Sequence, residues 1–336
     1  MPTEINVRVL LKSRPTGFPV EDDFEVVESP IPQPQQGEIL LESMWLSLDP
    51  YMRGRMNDAK SYAPSVDIGE PMVGGAVAKV VESRSPLFNP GDIVEGRFGW
   101  QSYAISNGIG VRKVDESLAP VQTAVGVLGM PGLTAYFGFL DVCDPTPGDT
   151  VVVSAASGAV GQIVGQIAKI MGCKVIGTVG SEPKAKFIVE ELGFDYAINY
   201  KTSDVAQSLD NLCPEGIDVY FDNVGGIVTD AVMDRINIGA RIAICGQISQ
   251  YNLKTPDLAP RNLGLLTRSQ AKMEGFLVFA YESRYDEGIA RMAAWIKEGK
   301  LKYKEDVVIG LKNAPKTFIG MLNGENFGKT LIKVAE

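Results

Sequence analysis

The residues whose types and spacing point most directly to chemistry are Ala156-Ser157-Gly158-Ala159-Val160-Gly161, a run of small side chains. They follow the apolar segment 150–154. They open a stretch in which Val160, Ile163, Val164, Ile167, Ala168 and Met171 recur at helical spacing. A strand, a tight small-residue turn and a helix bring backbone close to a pyrophosphate. The helix N-terminus then offers N–H groups and a partial positive charge. The first position is Ala156, so the match to the Gly-x-Gly-x-x-Gly fingerprint is incomplete. Without a ligand, the same residues would simply make a close strand–helix turn.

The next strand decides which dinucleotide such a loop would hold. A site for NAD places Asp or Glu about 20 residues on, against the ribose 2′-hydroxyl. Here that strand ends Thr178-Val179-Gly180-Ser181, with no carboxylate at its tip. Glu182 falls in the expected helix start, and Lys184 follows. A missing carboxylate beside a cation favours a 2′-phosphate and hence NADPH. Tyr200 is a candidate lid over the adenosine; otherwise it is an aromatic closing a strand. Lys184 on its own would read as a solvated helix residue.

The absent residue types narrow the chemistry further. The chain has no histidine, which removes Ser-His-Asp and Cys-His catalysis, His-Glu-x-x-His metal sites and the commonest general base. Its four cysteines are far apart and form no Cys-x-x-Cys pair. They indicate neither a zinc knuckle nor a disulfide framework and read mostly as small buried apolar residues. The net charge of −9 argues against general binding to a phosphate backbone, which needs clustered cations. No uncharged apolar run reaches the ~18–20 residues of a membrane span, and the N-terminus lacks a signal-peptide core. A cytoplasmic protein without nucleic-acid or membrane partners is expected.

These residues need a scaffold, and 336 residues suggest two domains. Residues 1–123 read as mostly β, with β-prone runs at 39–41, 73–81 and 93–95 punctuated by proline and glycine. The texture changes near Gly129-Met130-Pro131-Gly132. Beyond it, strands at 150–154, 174–179, 217–222 and 240–246 alternate with helical patterns. Ser181 is placed to cap one helix, with Pro183 in its first turn and Gly193 past its end. Such alternation predicts an α/β fold built on a doubly wound parallel sheet of the Rossmann type. Helices are expected at 286–298 and 314–322, with strands at 307–309 and 330–334. This tail is expected to return to the first domain.

Seven segments in one order carry a resemblance: LSLDPYMRGRM (46–56), VLGMPGLTAY (127–136), AASGAVG (155–161), FDNVGG (221–226), CGQISQYN (245–252), MEGF (273–276) and GENFGKTLIKV (324–334). Across nearly its whole length the chain resembles the zinc-independent medium-chain dehydrogenase/reductases. It is most similar to the prostaglandin/leukotriene reductase branch, which includes bacterial NADPH-dependent curcumin reductases. The resemblance implies a GroES-like catalytic domain from residues 1–123 and 300–336, a dinucleotide-binding domain from 124–299, and a homodimer. By motif match, Ser157, Gly158, Ala159, Val160 and Gly161 would hold the pyrophosphate, and Lys184 and Tyr200 the adenosine 2′-phosphate. Thr134, Asn223 and Asn326 would lie near the nicotinamide. Tyr251 would serve the substrate carbonyl or the proton relay, and Tyr51 would help line the substrate site. Read from the residues alone, Asn223 and Asn326 could equally satisfy turn backbone groups, Tyr251 and Tyr51 could be loop aromatics, and Asp49 reads as a turn residue.

The reaction implied is NADPH-dependent reduction of the carbon–carbon double bond of α,β-unsaturated carbonyl compounds, such as curcumin-like enones and alkenals. Hydride would go to the β-carbon, and charge would develop on the carbonyl oxygen. Tyr251 is the candidate donor there; the α-carbon would take its proton from Tyr251, a ribose hydroxyl or water. Tyr51, Met52, Met56, Trp100, Tyr103 and Tyr251 suggest an apolar, elongated substrate. The alternatives are a quinone reductase of the same superfamily and a non-catalytic NADPH-binding protein.

Overall fold

Short aliphatic and β-branched runs, interrupted by proline and glycine, make the first part of the chain a series of strands. The computed structural model describes residues 5–259 and 263–334. Up to residue 126 it forms β1 (Ile5–Leu11), β2 (Phe24–Pro30), β3 (Ile39–Ser47), α1 (Tyr51–Arg55), β4 (Ala76–Ser83), β5 (Ile93–Gly96), β6 (Tyr103–Ser106) and β7 (Arg112–Lys113). Alternation then begins with α2 (Met130–Phe137), β8 (Thr150–Val153), α3 (Gly161–Ile170), β9 (Lys174–Val179), α4 (Glu182–Glu190) and β10 (Tyr196–Asn199). It continues through α5 (Val205–Leu212), β11 (Ile217–Asp222), α6 (Gly226–Met233), β12 (Ile236–Ile244), α7 (Gly264–Arg268), β13 (Lys272–Gly275) and α8 (Tyr285–Lys297). The tail adds β14 (Glu305–Ile309), α9 (Ala314–Leu322) and β15 (Lys329–Lys333).

Two units result. One holds the residues up to 126 and those from 305 on; the other holds 127–304. In the first, a mixed sheet runs β14-β15-β3-β4-β5-β7, with β6 also paired to β3. The tail enters this sheet through antiparallel pairing of Leu331 with Ser47. Its core centres on buried Phe24, Trp100 and Phe318. Phe24 stacks on Trp100, and Phe318 meets Trp100 edge-on, with centroids 5.6 Å apart in both cases. Such ring pairs add about 0.5–1.5 kcal/mol each beyond area burial. Met52, Met56, Trp100 and Tyr103 are all buried. Their burial places them in the interior of the protein, so they do not present an exposed apolar surface to a substrate.

The second unit is a parallel sheet in the order β10-β9-β8-β11-β12-β13. β8 runs Thr-Val-Val-Val and is wholly buried, as a strand covered on both faces must be. Strands after β8 add outward on one side, and those from β11 on the other. The order therefore reverses between β8 and β11, which makes the carboxyl ends of those two strands the switch point of the sheet.

Two local features differ from the sequence reading. β12 begins at Ile236, because its register against β11 shifts between Ile217↔Ile236 and Val219↔Arg241, with Gly239 at φ 79° absorbing the irregularity. Cys245 and Gly246 consequently lie past the strand, in the loop that follows it. Ser181 occupies the extended position before α4 but makes no side-chain capping bond. Two buried glutamines on α3 reach the end of this unit instead. Gln162 exchanges both amide bonds with the backbone of Lys304, and Gln166 does the same with Lys302.

Candidate functional site

The loop between β8 and α3 is shaped by close backbone approach. Ala155 sits at φ 49°, a left-handed conformation that costs a non-glycine residue about 1–3 kcal/mol. Its carbonyl accepts from the Gly158 N–H at 2.9 Å, and the Ala156 N–H bonds the Thr178 carbonyl of β9 at 3.0 Å. A Cβ on Gly161 would lie 2.4 Å from the Ala155 oxygen and 2.8 Å from the Ala156 Cα, so only glycine fits there. Ser157 is buried, and Gly158, Ala159 and Val160 are half-buried on the way into α3. This is a cradle of backbone at a helix N-terminus, the donor geometry that a pyrophosphate requires.

At the tip of β9, Gly180 leaves room for Tyr200. A Cβ on Gly180 would stand 2.7 Å from the Tyr200 hydroxyl oxygen. Tyr200 remains 40% exposed, and burial of its phenol raises its pKa. Lys184 lies half-buried in the first turn of α4, which starts beside this tip. Thr134 is buried on α2, and its hydroxyl donates to the Met130 carbonyl at 2.7 Å.

Asn223 and Tyr251 come together beyond the ends of β11 and β12. The Asn223 side-chain amide donates to the Ser154 carbonyl at 2.8 Å, and its backbone N–H donates to the Ser154 hydroxyl at 2.8 Å. The Asn223 carbonyl accepts from the Ile248 N–H at 3.2 Å. The Val224 carbonyl accepts the N–H and hydroxyl of Ser249 at 3.1 and 2.6 Å. That seats the loop 245–252 on residues 223–224. Within it, the Gln247 N–H donates to the Tyr251 hydroxyl oxygen at 3.2 Å. The phenol oxygen lies against Gly246, where a Cβ would approach it to 2.9 Å.

Asp222 and Ser154 were not singled out from sequence. Asp222 is fully buried. Its Oδ1 accepts from the Ser154 hydroxyl (3.2 Å), the Tyr220 hydroxyl (2.9 Å) and the N–H groups of Val224 and Gly225 (2.9 Å each); its Oδ2 accepts from the Thr229 hydroxyl (2.7 Å). Burial, and then the adjacent carboxylate, hold the Tyr220 phenol well above its ordinary pKa. The available signal was an acidic residue closing an apolar strand just before Gly225-Gly226, both at positive φ.

Tyr51 and Asn326 belong to the first unit. Tyr51 opens α1 and is half-buried. Its phenol is pushed well above the ordinary range by burial and then by the nearby Asp49 charge, with Arg55 5.9 Å from its ring centroid. Asn326 donates to the Gly328 carbonyl at 2.9 Å, a turn contact just before β15. Asp49 is more than a turn residue. It is buried and paired with buried Lys329 at 3.0 Å, and it accepts the Ser47 hydroxyl. Burial lowers the Lys329 pKa, while Asp49 opposes that shift.

Residues 8–114 match the family model described as the N-terminal domain of oxidoreductase, and residues 159–294 match the one described as zinc-binding dehydrogenase. The zinc of that description finds no donor set here. The chain has no histidine, and among the described residues no group of three or more Cys, Asp or Glu side chains could hold a metal ion. Over 335 residues the chain is 46% identical to the NADPH-dependent curcumin reductase of Escherichia coli, covering 98% of this chain and 97% of that protein. It is 43% identical to the NADP(+)-dependent 2-alkenal reductase of Nicotiana tabacum, covering 98% of each. The structure of CurA from Vibrio vulnificus in complex with NADPH superposes with a TM-score of 0.94 at 48% identity, covering 98% of this chain and 99% of that one. With motifs, sheet order and near-complete alignment in agreement, this chain belongs to the zinc-independent medium-chain dehydrogenase/reductases, in their prostaglandin/leukotriene reductase branch.

Proposed function

We propose that the protein is an NADPH-dependent reductase of the carbon–carbon double bond in α,β-unsaturated carbonyl compounds, with curcumin-like enones and alkenals as its substrate class. The observation that carries this reading is the Tyr251 phenol, held beyond the switch point of the sheet on a loop seated upon residues 223–224. Bound NADPH supplies the hydride. Ser157 to Gly161 receive the pyrophosphate, Lys184 and Tyr200 the adenosine 2′-phosphate, and Thr134, Asn223 and Asn326 the nicotinamide end.

As the substrate's β-carbon gains hydride, negative charge moves to its carbonyl oxygen. Tyr251 donates a hydrogen bond to that oxygen, while the Gln247 N–H donates to the phenol oxygen from behind, and the α-carbon then takes a proton from Tyr251, a ribose hydroxyl or water to give the saturated carbonyl. Chained hydrogen bonds of this kind strengthen one another. By its motif, Tyr51 is assigned to substrate binding. The cysteines do not compete as nucleophiles, since burial pushes the Cys143 and Cys245 thiols up to about 12.

Two experiments test this reading. Oxidation of NADPH should follow addition of an enone or an alkenal, with mass spectrometry finding the saturated carbonyl product. Turnover of quinones alone would replace the reading with a quinone reductase, and no turnover across the panel with a binding protein. In Tyr251→Phe, kcat/KM for an enone should fall about 10-fold or more, with NADPH affinity within about threefold, because the lost donor acts in the transition state.

A homodimer and cytoplasmic residence complete the proposal. β13 is an edge strand of its sheet, and the exposed Leu277 and Phe279 follow it. All four cysteines are free thiols, which suits a reducing compartment. Sedimentation of the purified chain at twice its 36.2 kDa mass is expected.

A further inference from the structure

The Asp222 carboxylate lies below the site, in contact with none of the residues assigned to substrate or coenzyme except through the chain next to it. Its five donors deserve an explanation, because a buried carboxylate without a cation is costly unless hydrogen bonds replace its water. Among the described residues no Lys or Arg pairs with it. All five bonds come from polar N–H and O–H groups, and three of them act on the loop above. The N–H groups of Val224 and Gly225 are drawn directly onto Oδ1. The Ser154 hydroxyl bridges Oδ1 to the Asn223 N–H. The backbone from 223 to 225 is thereby fixed by one charge.

That backbone is the seat of the Tyr251 loop. The carbonyls of Asn223 and Val224 accept from Ile248 and Ser249, and the carbonyl of Asp222 itself accepts the N–H groups of Cys245 and Gly246 at 2.9 and 3.1 Å. Gly246 packs against the phenol oxygen of Tyr251, and Gln247 donates to it. A path of hydrogen bonds joined by short backbone segments therefore runs from the carboxylate through residues 223–224 and 247–249 to the donor hydroxyl. A neutral amide at this position would keep one acceptor oxygen but lose the charge, and charge-assisted bonds are roughly twice as strong as neutral ones. The cost to catalysis follows from geometry, since a donor must sit within about 3 Å of where the oxyanion forms.

We propose that Asp222 is a positioning residue for the reduction: its buried carboxylate holds residues 223–225 so that the loop seated on them presents the Tyr251 hydroxyl to the substrate carbonyl. This rests on the reading of Tyr251 as the donor. The test is a double-mutant cycle on the full-length enzyme, with kcat and KM for an enone, NADPH affinity and thermal midpoint measured for each variant. Asp222→Asn should lower kcat about 10-fold while the enone KM and NADPH affinity stay within about threefold. In the Tyr251→Phe background the same substitution should change kcat by less than about twofold, because the group it positions is already gone. Ser154→Ala removes the bridge to Asn223 while keeping the Asp222 carboxylate, and should show the same non-additive pattern at smaller amplitude; it carries the cycle if Asp222→Asn does not fold. Equal fold losses in both backgrounds, or a lowered thermal midpoint with unchanged kcat, would overturn the positioning role while leaving Tyr251 in place. Wild-type turnover by Tyr251→Phe alone would remove the donor, and the Asp222 proposal with it.

Discussion

Single residues in this protein differ in how far their chemistry can be read without a fold. Lys184 follows a strand tip that lacks a carboxylate, and composition at that tip already favours a 2′-phosphate. Lys184→Ala should weaken NADPH binding by about 1–3 kcal/mol, the range for a charged hydrogen bond, and leave NADH nearly unchanged. Fluorescence titration of both coenzymes checks this, and equal losses would mean that Lys184 does not read the phosphate. Glu305 shows the opposite case, since nothing in its sequence context marks it. In the structure its Oε1 is buried without a hydrogen-bond partner among the described residues, its Oε2 accepts from Gln122 at 3.2 Å, and burial raises its pKa. A carboxyl with a raised folded pKa contributes stability that is full below its unfolded value and is lost as pH rises through the folded value. Glu305→Gln does not titrate. Its stability relative to wild type should therefore increase between pH 4 and pH 8, as urea unfolding at the two pH values would show. A constant difference would mean that Glu305 is not desolvated.

At the scale of elements, the turn from β8 into α3 shows why a glycine pattern carries information. The small residues from Ala156 to Gly161 suggested a tight approach, and the structure gives its size: a Cβ on Gly161 would overlap the backbone of Ala155 and Ala156. Backbone cannot move aside as a flexible side chain can. Gly161→Ala should cost about 1–3 kcal/mol of stability, as overpacking does. It should also weaken NADPH binding about 10-fold by shifting the start of α3. Urea unfolding and coenzyme titration together test this, and wild-type affinity in a stable variant would show that the cradle tolerates a side chain. Helical periodicity placed α9 well because it buries one apolar face, and it also found α3 although that helix is buried all round from Gly161 to Ala168. The apolar strand pattern at 240–246 misplaced the start of β12, where Gly239 and the register shift against β11 decide which residues pair. Local pattern has no access to that partner strand.

For the whole molecule, the absence of histidine and of clustered cysteines has a consequence that reaches beyond any one site. A tight zinc site takes His or Cys ligands in a closed arrangement. Here, among the described residues, no three His, Cys, Asp or Glu side chains are grouped so as to hold a metal ion, and Cys173 and Cys213 are each buried outside any such group. Activity should survive prolonged chelation, and elemental analysis should find no stoichiometric zinc. One zinc per chain, lost together with turnover, would contradict this. The tail also has a molecular role, because β15 lies between β14 and β3 inside the sheet of the first unit. The chain crosses into it just after the segment that Gln162 and Gln166 grip.

The sequence by itself determined the alternation of strands and helices, the tight turn into α3, the coenzyme preference and the lack of histidine and paired-cysteine metal ligands. Each of these depends on residue type at short spacing, and short spacing is preserved whatever the fold does. The resemblance extended this to Asn223 and Tyr251 as members of motifs, without saying what supports them. Only the tertiary structure decided that Met52, Met56 and Trp100 fill a core, that Asp49 pairs with Lys329 across 280 positions, and that Asp222 gathers five donors beneath the Tyr251 loop. Burial and hydrogen-bond partnership depend on which distant segments meet. Those meetings are fixed by strand order and register rather than by any residue's neighbours in the chain.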